Sequence, residues 1–346
     1  MKWEYLRPAF KEALAQEQNL RVDKGRVHIR YMHWAPDEVL EKMVEPAAYD
    51  DLFGDWADER REELTEAVKV MLDETGQLPR FRKLKEAYQA ERVLPFVGAG
   101  MSQPSEFPGW TAFIRDLVRE TTVPADVIND MLKSGLYEEA AQCLADALGP
   151  AFNEAVENAF GSSPPLRGCV QLLPHVFDTS VITTNFDDVL KRSYGAAGVT
   201  FSEEMSGSDA TELPRMLGAG RRVLLSLHGR ATSAKGRILT AEEYEQHYGT
   251  GDGLQNAIGA ICTSTLLFLG CSLTVDRTLL AMKKLVETRG HDNVTRHYAF
   301  LALPKSDAEK VERRDQLVAS NIYPIWYPAG THDESIESLL LALLEP

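Results

Sequence analysis

An apolar run, Val93-Leu94-Pro95-Phe96-Val97, passes without a spacer into Gly98-Ala99-Gly100-Met101-Ser102. Few folds accept that junction. A buried strand ending in glycines lets the main chain turn tightly and approach an anion with no side chain in the way, and a helix starting just beyond would aim unpaired N–H groups at it. The ligand such a turn suits is a nucleotide. The dinucleotide fingerprint wants a third glycine where this chain has Gln103, so the same turn also fits an α/β connection that binds nothing.

The rest of the chain supplies the sheet that this junction requires. From residue 93 onward, β-rich runs at 93–97, 181–184, 223–227, 266–269, 297–303 and 322–327 alternate with helical stretches. That alternation predicts an α/β fold with a Rossmann-like, mostly parallel sheet covered by helices. Residues 104–178 read as a helical insertion lobe, with Phe113, Ile114, Leu117 and Val118 on one face and an Ala-rich run over 137–148. Residues 1–88 read as an N-terminal helical module, ahead of a nucleotide-binding domain over 89–346. Within the module, Leu64, Val68, Met71 and Leu72 share one helical face. This helix is predicted to start after Trp56, with Asp58 and Glu59 in its first turn, and to end at Gly76 and Pro79. No internal repeat interrupts the pattern.

Charge and cysteine usage narrow the function classes. The 346 residues carry a net charge of −15, which excludes a general affinity for nucleic-acid backbone or anionic membranes. The densest basic cluster, Arg80, Arg82, Lys83, Lys85 and Arg92, is broken by Glu86 and Glu91 and reads as a solvated helix face. Cys143, Cys169, Cys262 and Cys271 form no C-x-x-C pair, so neither a zinc ribbon nor a disulfide framework is expected, and no metal site. The N-terminus lacks the apolar run of a signal peptide and no apolar stretch is long enough to span a bilayer; the expected location is cytoplasmic.

In an open α/β sheet, ligands bind beyond the carboxyl ends of the strands. Thr183-Thr184-Asn185-Phe186-Asp187 follows one such end, His228-Gly229 the next, and Gly270-Cys271-Ser272 a third, with Asp276 shortly beyond. Each has a plain structural explanation. Asn185 and Asp187 suit a helix cap, His228 a turn, Gly270 and Ser272 a turn and N-cap, and Asp276 a helix start. It is their order along the chain that points to a shared cleft.

In that order the motifs resemble the sirtuin-like superfamily of NAD-consuming enzymes. Gly98-Ala99-Gly100-Met101-Ser102 is similar to its Gly-Ala-Gly-x-Ser loop, Thr183 to Asp187 to its Thr-x-Asn-hydrophobic-Asp, and His228-Gly229 to its catalytic His-Gly. Pro108-Gly109-Trp110, Ile238-Leu239-Thr240 with Tyr244, Phe268 to Leu273 and Pro324 to Tyr327 resemble the bacterial branch associated with antiphage defence. Protein deacylases of the superfamily carry four zinc-binding cysteines after the His-Gly, whereas residues 230–265 hold only Cys262. The resemblance therefore implies an NAD+ glycohydrolase that depletes NAD, with NAD+ as substrate and no zinc. It further implies a homo-oligomer, or a co-encoded ATPase or Argonaute-like partner.

The resemblance also distributes roles. Asn185 and His228 are the expected catalytic pair, Asn185 orienting the ribose or attacking water and His228 accepting a proton. Gly98, Ala99, Gly100 and Ser102 are assigned to the pyrophosphate, Thr184 and Asp187 to the NAD-contacting set beside Asn185, and Gly270 and Ser272 to the adenosine half. A deacylase and a non-catalytic NAD-binding sensor or scaffold are the alternatives. A hydride-transferring dehydrogenase fits least, because the glycine fingerprint is incomplete.

Overall fold

A computed structural model describes residues 4–16, 22–23, 26–29, 32–34, 36–43, 46–248, 253–273 and 277–345. Asp276 lies outside the described residues. The chain divides into two compact units, 1–71 and 72–344, so helix Leu78–Gln89 belongs with the second.

The first unit is built on helices Arg7–Gln16, Pro36–Met43 and Pro46–Glu74. Tyr49, Phe53 and Ala57, at helical spacing, bury against Leu6 and Phe10, with the Phe10 ring 5.5 Å from that of Phe53. The long helix therefore begins well before the predicted start after Trp56. Its Pro46 occupies the first position, where a missing N–H costs nothing, and Gly54 does not interrupt it. Asp58 and Glu59 consequently sit inside the helix. The unit also holds three short antiparallel strands, Val22–Asp23, Arg26–Ile29 and Met32–Trp34, which the reading of a mainly helical module did not include.

The second unit opens at the end of the long helix, where Gly76 at φ 65° lets the Gln77 N–H reach back to the Leu72 carbonyl at 2.8 Å. Its sheet has seven strands: β1 (Val93–Val97), β2 (Val181–Thr183), β3 (Glu203–Ser206), β4 (Val223–Ser226), β5 (Thr265–Leu269), β6 (His297–Ala302) and β7 (Ile322–Tyr327). The spatial order is β7-β6-β5-β1-β2-β4-β3, and every pairing is parallel. The order of strand addition thus reverses between β1 and β5, the switch point at which such sheets open a cleft.

Strands β1 and β5 are buried throughout, which is why both read as unbroken apolar runs. Pro95 survives in this central position because β2 pairs with β1 only from Phe96 onward. The edge strand β3, Glu-Glu-Met-Ser, is largely exposed and carries no apolar signal, and no strand was expected there. At the opposite edge Gln77 pairs with β7 through both amide atoms, donating to the Trp326 carbonyl at 3.0 Å and accepting its N–H at 2.6 Å. This satisfies an edge that would otherwise be open.

Between β1 and β2 lie helices α1 (Trp110–Val118), α2 (Ala125–Lys133), α3 (Tyr137–Leu148) and α4 (Pro150–Phe160). α5 (Ala241–Tyr248) follows β4, and α6 (Arg277–Arg289) follows β5. Helix His332–Leu344 ends the described chain.

Candidate functional site

The sheet places the four motifs on four adjacent strands. Gly98 follows β1, Thr184 and Asn185 follow β2, Leu227 and His228 follow β4, and Gly270 follows β5. Two of these loops interlock. The Gly98 N–H donates to the Leu269 carbonyl and that of Gly100 to the Gly270 carbonyl, each at 2.9 Å. A methyl group at Gly98 would stand 2.7 Å from Cys271 Sγ, and one at Gly100 2.8 Å from the Gly270 carbonyl. Gly270, at φ 64°, packs in turn on the Met101 N–H, 2.5 Å from where its own side chain would begin.

This corrects one expectation. The N–H groups of Met101 and Ser102 close 3-10 turns onto Gly98 and Ala99, so with Gly98 and Gly100 four of the loop's amides are already occupied. The chain beyond continues as 3-10 turns, and the next α-helix starts only at Trp110. The glycines serve close packing of two loops rather than a fan of open amides.

Behind the loop lies a hydrogen-bonded layer. Asn185, 5% exposed, donates through Nδ2 to the Gly98 carbonyl at 3.1 Å and to Ser102 Oγ at 3.0 Å. Ser102, 1% exposed, donates its hydroxyl hydrogen bond to Asp187 Oδ1 at 3.1 Å, so its side chain is not a free phosphate donor. Asp187 Oδ1 also caps α7 (Val189–Ala196) through the Val189 N–H. Burial raises the Asp187 pKa, opposed by the Val189 N–H and the Ser102 hydroxyl. Asn185 Oδ1 is buried without a partner, a state that costs free energy unless a ligand or water completes it.

His228 stands at the end of β4, and Gly229 after it adopts φ 73° with no room for a side chain beside the Gly236 carbonyl. Its Nε2 lies 2.7 Å from the Tyr244 hydroxyl. Nδ1 is buried without a hydrogen-bond partner, and the ring meets the Thr184 backbone. Burial pushes the His228 pKa down to about 4, opposed by the Thr184 contact, so the ring is neutral at pH 7.

Together these groups border a cavity of about 610 Å³. Gly98, Ala99, Gly100, Thr184, His228, Gly270 and Ser272 line it; Ser102, Asn185 and Asp187 do not. Sequence reasoning missed the contribution of α1 and α3, which add Trp110, Arg115 and Glu138 to the wall. Trp110 packs edge-on against Phe186, ring centroids 4.8 Å apart. A second cavity of about 540 Å³ shares Gly270, Cys271 and Ser272 with the first and extends past Trp326, Tyr327 and His332. His332 Nδ1 is hydrogen-bonded to the Tyr327 hydroxyl. Among the described residues, no three His, Cys, Asp or Glu side chains converge as metal ligands.

Part of the chain resembles a sirtuin-like domain. Residues 179–325 match the family model described as a SIR2-like domain. The chain is 22% identical over 256 residues to the NAD(+) hydrolase ThsA of Acinetobacter baumannii, covering 71% of this chain and 46% of that protein. It is 25% identical over 226 residues to Defense-associated sirtuin 2 of Bacillus subtilis, covering 63% of this chain and 22% of that protein. The chain thus spans less than half the length of these relatives.

Proposed function

We propose that this chain is an NAD+ glycohydrolase, cleaving the bond between nicotinamide and ribose, and that it acts by depleting NAD in antiphage defence. The observation that carries the reading is the convergence of four strand ends on one cavity, with a neutral His228 on its wall and the unpartnered Asn185 Oδ1 directly behind it. The names of the two relatives support it.

Nicotinamide leaves as a neutral pyridine, so the barrier lies in the oxocarbenium that develops on the ribose. Such a site lowers it by fixing the sugar, excluding water and placing polar groups near the charge. Asn185 orients the ribose or the attacking water through Oδ1, and His228 takes up the proton that the attack releases. The pyrophosphate crosses the Gly98–Gly100 and Gly270 interlock, with the two cavities holding opposite halves of the dinucleotide. Arg115 is the cation on the first cavity wall that offsets phosphate charge.

An unrestrained NAD hydrolase would be lethal to its host, which argues for control by self-assembly or by a partner protein, with residues 1–88 as the contact and the cytoplasm as the compartment. Among the described residues no helix is long and apolar enough to cross a membrane. The deciding experiment is nicotinamide release from NAD+ by the wild-type chain and by Asn185→Ala, each with and without an infected-cell lysate cleared of small molecules. Release that requires Asn185 establishes the hydrolase; bound NAD+ with no release in any condition refutes it in favour of a sensor.

A further inference from the structure

We propose that Tyr244 is a catalytic residue that relays the proton between the attacking water and His228; the proposal rests on the hydrolase reading above. Tyr244 and His228 both line the larger cavity, with the phenol oxygen 2.7 Å from Nε2 and the rings edge-to-face at 5.6 Å. The direction of that hydrogen bond follows from the chemistry of its two partners. A neutral imidazole nitrogen is a stronger acceptor than a phenol oxygen, and a phenol O–H is a stronger donor than an imidazole N–H. The proton therefore belongs on Nδ1, Nε2 is the acceptor, and the Tyr244 O–H donates to it.

The consequence is mechanistic. The one basic lone pair of His228 is already engaged by the phenol, so a proton leaving a water in the cavity reaches Nε2 through the Tyr244 oxygen. In the step that follows, the water oxygen bonds to the ribose anomeric carbon as the bond to nicotinamide breaks, its electron pair leaving with the nicotinamide nitrogen. The water proton passes to the Tyr244 oxygen while the phenolic proton passes to His228 Nε2. Tyr244 ends neutral, His228 ends as imidazolium, and the products are nicotinamide and ADP-ribose.

The charged surroundings favour this transfer. The Arg277 guanidinium, on the first residue of α6, stands 5.0 Å from the Tyr244 ring centroid and stabilises negative charge building on the phenol. It is paired at 3.3 Å with Glu139 of α3, so the helical insertion contributes to the field at the base. Glu243, beside Tyr244 on α5, is turned away: it accepts the Leu239 and Thr240 N–H groups and pairs with the buried Arg237, which anchors the helix that presents the phenol.

The test combines turnover with a readout on the unliganded protein. NAD+ hydrolysis by the full chain and by Tyr244→Phe is measured with NAD+ affinity, a proton inventory of wild-type turnover in mixed light and heavy water, and the ¹⁵N resonances of His228. The expectation is turnover about 100-fold slower in Tyr244→Phe, within the usual span for a proton-transfer group, with affinity changed by less than about threefold. The inventory should be bowed, as two protons move together, and the Nε2 resonance should shift when the phenol is removed. Turnover of Tyr244→Phe within about threefold of wild type, a linear inventory, or an unmoved Nε2 resonance each overturns the relay. A wild type that binds NAD+ without releasing nicotinamide overturns the hydrolase reading instead, and the resonance still decides the hydrogen bond.

Discussion

At the scale of single residues, Asn185 and His228 play different structural parts beside the chemical one proposed for both. Asn185 holds the Gly98 carbonyl and the Ser102 hydroxyl, so Asn185→Ala removes one hydrogen bond from each of two groups that keep another, with Met101 and Asp187 respectively. It should lower the unfolding free energy by about 1–3 kcal/mol in denaturant titrations, while NAD cleavage falls by about 100-fold or more. Equal turnover in the variant would remove Asn185 from the mechanism. His228 makes a second prediction. Because its pKa is near 4 rather than its ordinary 6.5, kcat/KM should stay flat as pH falls from 8 to about 5 and decline only near 4. A limb near 6.5 would mean that some other group is the base. Both residues were legible in the sequence because each directly follows an apolar strand run. The Tyr244 contact was not, since it forms only when α5 docks over the end of β4.

At the scale of elements, the interlock of the Gly98–Gly100 turn with Gly270 is the feature on which the cavity depends. Gly270→Ala adds a methyl 2.5 Å from the Met101 nitrogen, at a backbone φ of 64° that favours glycine. The variant should lose at least about 2 kcal/mol of stability and most of its affinity for NAD+; thermal melts with and without the dinucleotide check both. The glycines were legible, but the close packing of two loops that they permit was not. A sequence shows where a side chain is absent, not what occupies the space, and here the occupant is a second loop from the far side of the switch point. Continuous apolar runs betrayed β1 and β5, whereas β3, largely exposed and with only Met205 of its four residues packed on the core, has too little side-chain signature to read.

At the scale of the whole molecule, two neutral histidines are built into the second unit. Burial lowers His228 to about 4 and His297 to about 3. Both folded-state values lie below the ordinary 6.5, so their neutral forms support the fold fully above pH 6.5, and this support is lost as pH falls toward 4 and 3. At pH 5 the loss should be about 2 kcal/mol for each. Melting curves at pH 7.5 and 5 on the wild type and His297→Gln check it, the variant losing less on acidification; identical losses would refute the assignment.

The sequence by itself determined the parallel α/β class, six of the seven strands of the sheet and the residues at their ends, because each is written locally in runs of apolar side chains and in the glycines and polar groups that follow. Only the tertiary structure decided the strand order that makes β4, β2, β1 and β5 neighbours, the placing of Asn185 behind the glycine loop, the covering of His228 by Tyr244 and the walls that α1 and α3 supply. Those are contacts between segments far apart in the chain, chosen by packing over the whole fold, and no local pattern of residues records them.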